Sequence, residues 1–264
     1  MKTSLLAGLL ASFLLPAYAF AQSPIDGTWK IDLAKVQAPA KPDVLLLKDG
    51  MYACRTCAPP ISVKADGQDH PVSGHPYFDT LAVNVVDDHI VQETEKKHGK
   101  VVATSTTTVA PGGNTATFEF SDSSDSGGAP VTGKGSMKRV AAGPAGSHAL
   151  SGSWRTSNYQ GISDNGLSMT FKEEGGSLSM NNPTGQSYTA KLGGAEAPYK
   201  GDPGVTSVAV RKTGAQSFME TDKRDGKVVS VARMTIQPDG KTMHVAIDDK
   251  LRGNTMSFVA MKQP

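Results

Sequence analysis

Four residues carry the most recognisable chemical spacing in the chain. Within "MYACRTCAPPISVKADGQDHPVSGHP", Cys54, Cys57, His70 and His75 read as Cys-x2-Cys-x12-His-x4-His. These are the donor types and the order of a tetrahedral zinc finger. Such a finger presents both histidines from one face of a helix. Here they lie in "DHPVSGHP", where Pro71, Gly74 and Pro76 oppose helical backbone. A disulfide between Cys54 and Cys57 is the competing expectation, and the N-terminus favours it. After Lys2 the chain runs "LLAGLLASFLLPAYAFAQ", the charge, apolar stretch and small-x-small site of a secretory signal peptide. The expected cut follows Ala21, so residues 1–21 are read as the signal peptide and the mature protein as periplasmic or secreted. No cysteine follows the cut, which speaks against a lipid anchor. In an oxidising compartment, two cysteines three residues apart are expected to pair with each other. Zinc on Cys54, Cys57, His70 and His75 stays the lesser alternative, and no cofactor is expected. A catalytic Cys-x-x-Cys opens a helix, but "CRTCAPP" leads into prolines, so a stapled turn is the reading.

Other candidate chemistry is sparse. Glu93 with Glu95, and Glu220 with Asp222, are acidic pairs at strand spacing beside Lys96, Lys97, Lys223 and Arg224. Solvated cross-strand ion pairs account for them. His244 falls on the polar face of its strand. No Gly-x-Ser-x-Gly elbow appears, and no Ser, His and Asp set has supporting context, so the reading is non-enzymatic. Methionine is uneven: Met169, Met180, Met219, Met234, Met243, Met256 and Met261 all fall in the second half. Soft, adaptable Met side chains suit the wall of an apolar site. The formal net charge is +2, and loss of Lys2 leaves +1. That balance argues against nucleic acid as a partner, which needs concentrated positive charge. No stretch after the signal peptide reaches the ~20 apolar residues of a membrane-spanning helix.

The elements that must position these residues are duplicated. Residues 93–102, "ETEKKHGKVV", match residues 220–229, "ETDKRDGKVV", at an offset of 127. Pro71, Gly74 and Pro76 fall on Pro198, Gly201 and Pro203, and Pro111, Gly113 and Thr115 on Pro238, Gly240 and Thr242. "GTWK" at Gly27 matches "GSWR" at Gly152 at an offset of 125. The second copy lacks cysteine, and Ala197 and Asp202 stand where the first has His70 and His75. Metal is therefore no part of the shared architecture. "AAGPAGSHA" (141–149) suits a linker, which gives repeats at 22–140 and 150–264. Alternation marks strands: Ala116, Phe118 and Phe120 share one face, and Met243, Val245 and Ile247 the equivalent one. His98-Gly99 and Asp225-Gly226 read as two-residue hairpin turns, in which both positions need positive φ. The expectation is two antiparallel units of about eight strands each.

Each repeat opens with Gly-x-Trp, which resembles the start of the lipocalin or calycin barrels. That resemblance implies a basic residue of the last strand packed over the Trp: Arg139 in the first copy and Lys262 in the second. The stretches "GTWKIDLAK", "HPVSGHP" and "EKKHGKVV" also resemble a group of bacterial exported proteins of uncharacterised function. This resemblance spans nearly the whole mature chain and implies fold and export, but no activity. The fold expected is all-β, two tandem lipocalin-like antiparallel β-barrels, with one larger shared β-sandwich or barrel as the alternative. The function expected is binding of a small apolar or amphipathic ligand in a barrel, lined by Phe118, Phe120, Met234, Met243, Val245 and Ile247. A structural or envelope-interaction protein acting through its surface is the second reading, and a redox or zinc role at Cys54 and Cys57 the third.

Overall fold

Alternating apolar and polar residues, broken every eight to twelve positions by Gly, Asp and Asn, leave the backbone little choice but short antiparallel strands. The computed structural model describes residues 22–125 and 129–264; the expected signal peptide lies outside them. In chain order the strands are β1 (Gly27–Gln37), β2 (Asp43–Lys48), β3 (Met51–Cys54), β4 (Ile61–Lys64), β5 (His70–Pro71), β6 (Thr80–Val85), β7 (Ile90–Lys97), β8 (Lys100–Val109), β9 (Thr115–Asp122) and β10 (Val131–Ala142). The second half continues with β11 (Gly152–Gln160), β12 (Ser168–Glu174), β13 (Ser177–Asn181), β14 (Ser187–Lys191), β15 (Ala197–Pro198), β16 (Ser207–Gly214), β17 (Ser217–Arg224), β18 (Lys227–Ile236), β19 (Thr242–Asp249) and β20 (Asn254–Lys262). One short 3-10 turn, Asp164–Gly166, interrupts them. Among the described residues no helix is long and apolar enough to cross a membrane.

The strands form two ten-stranded antiparallel sheets, each curled into a nearly closed barrel. Each sheet has ten strands where about eight were expected; one of the extra strands in each is a two-residue edge, β5 or β15, too brief to show alternation. The hairpin turns follow the sequence closely. His98 and Asp225 both sit at φ 51°, followed by Gly99 at 76° and Gly226 at 78°. Positive φ at both central positions makes the turn twist with its strands. Two residues before each of these turns the ladder slips, between Glu95 and Lys96 and between Asp222 and Lys223. The duplication thus extends to an equivalent β-bulge in each copy.

The sheets do not follow the repeats. One sheet runs β4-β3-β2-β11-β10-β9-β8-β7-β6-β5, the other β14-β13-β12-β1-β20-β19-β18-β17-β16-β15. The opening strands have changed places: β1 lies between β12 and β20 of the second repeat, and β11 between β2 and β10 of the first. The first barrel is therefore built from the contiguous strands β2 to β11, and the second closes only with the chain's first strand. The β1–β2 connection carries Pro39 and Pro42 and bends at Ala40 and Lys41; the residues before the prolines are biased away from helical backbone, which suits a crossing between barrels.

Exchange moves each tryptophan into the other core. Trp29 is fully buried among Phe171, Leu178, Phe218 and Met243. Trp154 is fully buried among Leu47, Leu81, Val83 and Val109. Each indole N–H donates to the carbonyl four residues upstream, Trp29 to Ile25 at 2.8 Å and Trp154 to Leu150 at 2.7 Å. The cations over the rings cross as well. Arg139, expected over the tryptophan of its own repeat, lies 4.1 Å from the Trp154 ring centroid, and Lys262 lies 5.4 Å from that of Trp29. Arg139 also donates to the carbonyls of Gly113, Ala149 and Ser151. The glycines of the Gly-x-Trp starts leave room for these cations. A Cβ at Gly27 would stand 2.8 Å from Lys262 Cε, and one at Gly152 2.4 Å from the Ala141 carbonyl oxygen and 2.7 Å from Arg139 Nη1.

Candidate functional site

A cavity of about 440 Å³ opens into the second barrel, within the range of about 300–1,000 Å³ in which small-molecule sites fall. Its walls are inward positions of the barrel strands, which alternate with solvent-facing ones. Met169 and Phe171 come from β12, Met234 from β18, Val245 and Ile247 from β19, Phe258 from β20 and Ile31 from the exchanged β1. The first repeat supplies a further part of the wall through Phe120 and Asp122 of β9, Asp125 beyond it, Ala129 just before β10 and Val131 at its start. Contacts between the halves fasten this side. Gln186 Nε2 donates to Asp125 Oδ2 at 2.8 Å and to Asp202 Oδ2 at 3.3 Å, and the Tyr77 hydroxyl donates to Asp202 Oδ1 at 3.0 Å.

The polar part of the cavity is acidic. Glu220 of β17, Asp122 and Asp125 line it, and none of its described lining residues is Lys, Arg or His. Glu220 follows Phe218 at strand spacing and so shares its inward face. It accepts a hydrogen bond from the Tyr188 hydroxyl. Burial, and then the neighbouring Asp222, push the Glu220 carboxyl up to about 8. Asp222 stands one inward position further along and is 8 % exposed. Ser230 donates to its Oδ2, while its Oδ1 has no donor unless Glu220 carries a proton. Burial also raises Asp222. Asp125 is pushed to about 6 by burial, then by Asp202 and Asp122. Tyr199, tilted against Tyr188 with ring centroids 5.7 Å apart, is raised by burial and by Glu220.

The first barrel repeats this chemistry. Glu93 and Glu95, at the positions of Glu220 and Asp222, also face inward, in phase with the buried Val91. Burial raises Glu93, against the hydroxyls of Tyr52 and Ser105, which hold it down. Burial and then Glu93 and Asp122 carry Glu95 to about 7. The reading of both acidic pairs as solvated ion pairs is thereby corrected. The cations beside them, Lys96 and Lys223, turn outward to Asp69 at 2.6 Å and to Glu196. Adjacent residues on a strand point to opposite faces, so a charge next in sequence need not be near in space.

Cys54 and Cys57 stand at disulfide distance, 2.08 Å between sulfurs. The two histidines do not converge on them. His70 Nε2 contacts Asp66 Oδ1 at 2.7 Å, and His75 stacks on Phe78 with centroids 4.9 Å apart. Among the described residues no three Cys, His, Asp or Glu side chains form a group able to hold a metal ion.

Of the six residues proposed from sequence to line a ligand site, Phe120, Met234, Val245 and Ile247 lie on this cavity. Met243 is fully buried deeper in the same core. Phe118 packs instead against the first core and near Phe120 and Tyr159. Sequence reasoning missed Glu220, Asp122, Asp125, Gln186 and Tyr199. The alternation Phe218, Glu220, Asp222 was the available signal for the first of these. No family model matches the chain, and no curated protein matches it either.

Proposed function

We propose that the protein is an exported, non-enzymatic binding protein whose second barrel holds a small amphipathic ligand. The observation that carries this reading is the cavity of about 440 Å³, whose wall combines Phe, Met, Val and Ile side chains with a few convergent polar groups. That division of labour is the usual one for small-molecule sites, apolar surface for affinity and few polar groups for orientation. Export rests on the N-terminal segment and places the protein in the periplasm or outside the cell.

The test is a fluorescence titration of the mature protein with N-phenyl-1-naphthylamine, a neutral apolar dye that brightens on leaving water. Saturable enhancement in the wild type, abolished by Ala232→Phe, is the expected result, because Ala232 lines the cavity and a phenyl group there fills it. Unchanged circular dichroism confirms that the variant is folded. Absence of saturable enhancement in the wild type, or full enhancement in folded A232F, overturns the reading. Cell fractionation with N-terminal sequencing tests export; a mature chain starting at Gln22 in the periplasm or medium is expected.

A further inference from the structure

We infer that the ligand of the second barrel is an organic cation, a protonated amine carried on an apolar body, whose ammonium group takes a place among Glu220, Asp122 and Asp125 on the cavity wall. This rests on the proposed binding role and specifies its ligand. The geometry supplies the argument. An ionised carboxylate is costly to bury unless a positive or hydrogen-bonding partner accompanies it. Glu220, Asp122 and Asp125 line one cavity with no described cation among its lining residues. Asp26, 1 % exposed, has a cation partner, accepting from Lys172 Nζ at 2.8 Å, as does Glu173 from Lys212 Nζ at 2.5 Å. The cavity carboxylates accept from neutral donors alone among the described residues: Glu220 from the Tyr188 hydroxyl, Asp125 from Gln186 Nε2 and Asp122 from the Ser124 N–H.

A second observation is independent of charge counting. Asp222 is nine-tenths buried, and its Oδ1 has no donor in the fold beyond a proton on Glu220. With the cavity empty, burial and the nearness of the two carboxyls favour a proton on Glu220. Asp222 stands behind Glu220, outside the cavity wall; an ammonium brings three donors and a charge, which satisfies Glu220 and Asp125 on the wall while the apolar body lies on Met234, Val245 and Phe258. The groups facing this point are all acidic or phenolic: Asp222 on the same strand, Tyr188 on β14, Tyr199 and Asp202 around β15, and Asp122 and Asp125 from the first repeat. Amine binding therefore displaces the Glu220 proton into solvent: Glu220 loses H⁺ and the ammonium stays charged. Affinity rises with pH while the amine itself remains protonated.

The experiment is calorimetry at pH 7 with three ten-carbon probes, 1-aminodecane, 1-decanol and decanoate, each below its micellar concentration. Runs in phosphate and in Tris, whose ionisation heats differ, count protons released. The amine is expected to bind at least about tenfold more tightly than the alcohol, with decanoate weakest and up to one proton released. In E220Q the amine is expected to lose about tenfold or more and the alcohol far less, with an unchanged circular dichroism spectrum as the control for folding; D125N shows a smaller loss of the same sign. Alcohol binding as tight as amine binding, or amine affinity indifferent to E220Q, overturns the cationic ligand and leaves the binding role standing. Failure of all three probes together with N-phenyl-1-naphthylamine overturns both.

Discussion

Exchange of the opening strands makes each tryptophan a reporter on the opposite repeat, and this can be measured. Trp154→Phe leaves Trp29 as the sole tryptophan, and Trp29→Phe leaves Trp154. Into each background go two core truncations, Leu178→Ala in the second repeat and Leu81→Ala in the first. Leu178 is fully buried in the cluster that holds Trp29, and Leu81, 3 % exposed, in the cluster that holds Trp154. Truncating a buried leucine costs about 2–5 kcal/mol, the lost transfer energy plus the cavity left behind. With a urea slope of about 2 kcal/mol per molar, the midpoint should fall by about 1–2.5 M. The Trp29 transition should move with Leu178→Ala and not with Leu81→Ala, and the Trp154 transition the reverse. If the barrels melt as one unit, both reporters follow both truncations, and a cross-link decides. Thr28 and Thr170 are register partners on β1 and β12, with hydroxyls 2.9 Å apart. Their cysteine pair should therefore oxidise, whereas Thr28→Cys with Val44→Cys should not. A Trp29 signal that tracks Leu81→Ala, or a 28–44 cross-link in place of 28–170, refutes the exchange.

Other outcomes follow from the buried charges and the closures of the barrels. Glu220 is held near 8 against an ordinary value of 4.5, so the fold favours its protonated form. The resulting stability is fully present below about 4.5 and is lost as pH rises through about 8. The second barrel should have a higher urea midpoint at pH 5 than at pH 9, by several kcal/mol in order of magnitude; E220Q should remove most of this dependence and exceed the wild type at pH 9. A flat wild-type profile from pH 5 to 9 contradicts the buried carboxylate. Arg139→Lys gives up most of the three carbonyl contacts over Trp154, and hydrogen bonds to charged groups contribute about 1.5–3 kcal/mol each. It should lower the Trp154-reported midpoint by about 2–4 kcal/mol and leave the Trp29-reported one in place. Thiol titration of denatured, unreduced protein should find no free thiol; two free thiols with one equivalent of zinc would reinstate the Cys-x2-Cys…His-x4-His metal site.

Much of the candidate site was legible in part. Strand phase put Met234, Val245 and Ile247 on an inward face, and that much of the cavity wall follows from period-two alternation alone. The same rule was available for Glu220 and Asp222, in phase with Phe218, yet the flanking Lys223 and Arg224 suggested solvent. Composition next in sequence outweighed phase, and the reading failed there. Asp125, Gln186 and Tyr199 lie in turns or on strands far apart in the chain, and no local pattern relates them. They meet because the loop side of the first repeat packs against the second barrel.

The sequence by itself determined the all-β class, the duplication, the positive-φ hairpin turns and the face each strand buries. These are local properties: alternation, glycine placement and turn chemistry act over a few residues. Which barrel each Gly-x-Trp strand completes was decided only in the tertiary structure. β1 and β11 share one pattern, so either sheet satisfies their alternation equally, and register rules specify a face but not a partner. The same holds for the carboxylates. Their chemistry is written in the chain, but their burial, and the meeting of Glu220 with Asp122 and Asp125 of the other repeat on one cavity, arise only in the tertiary structure.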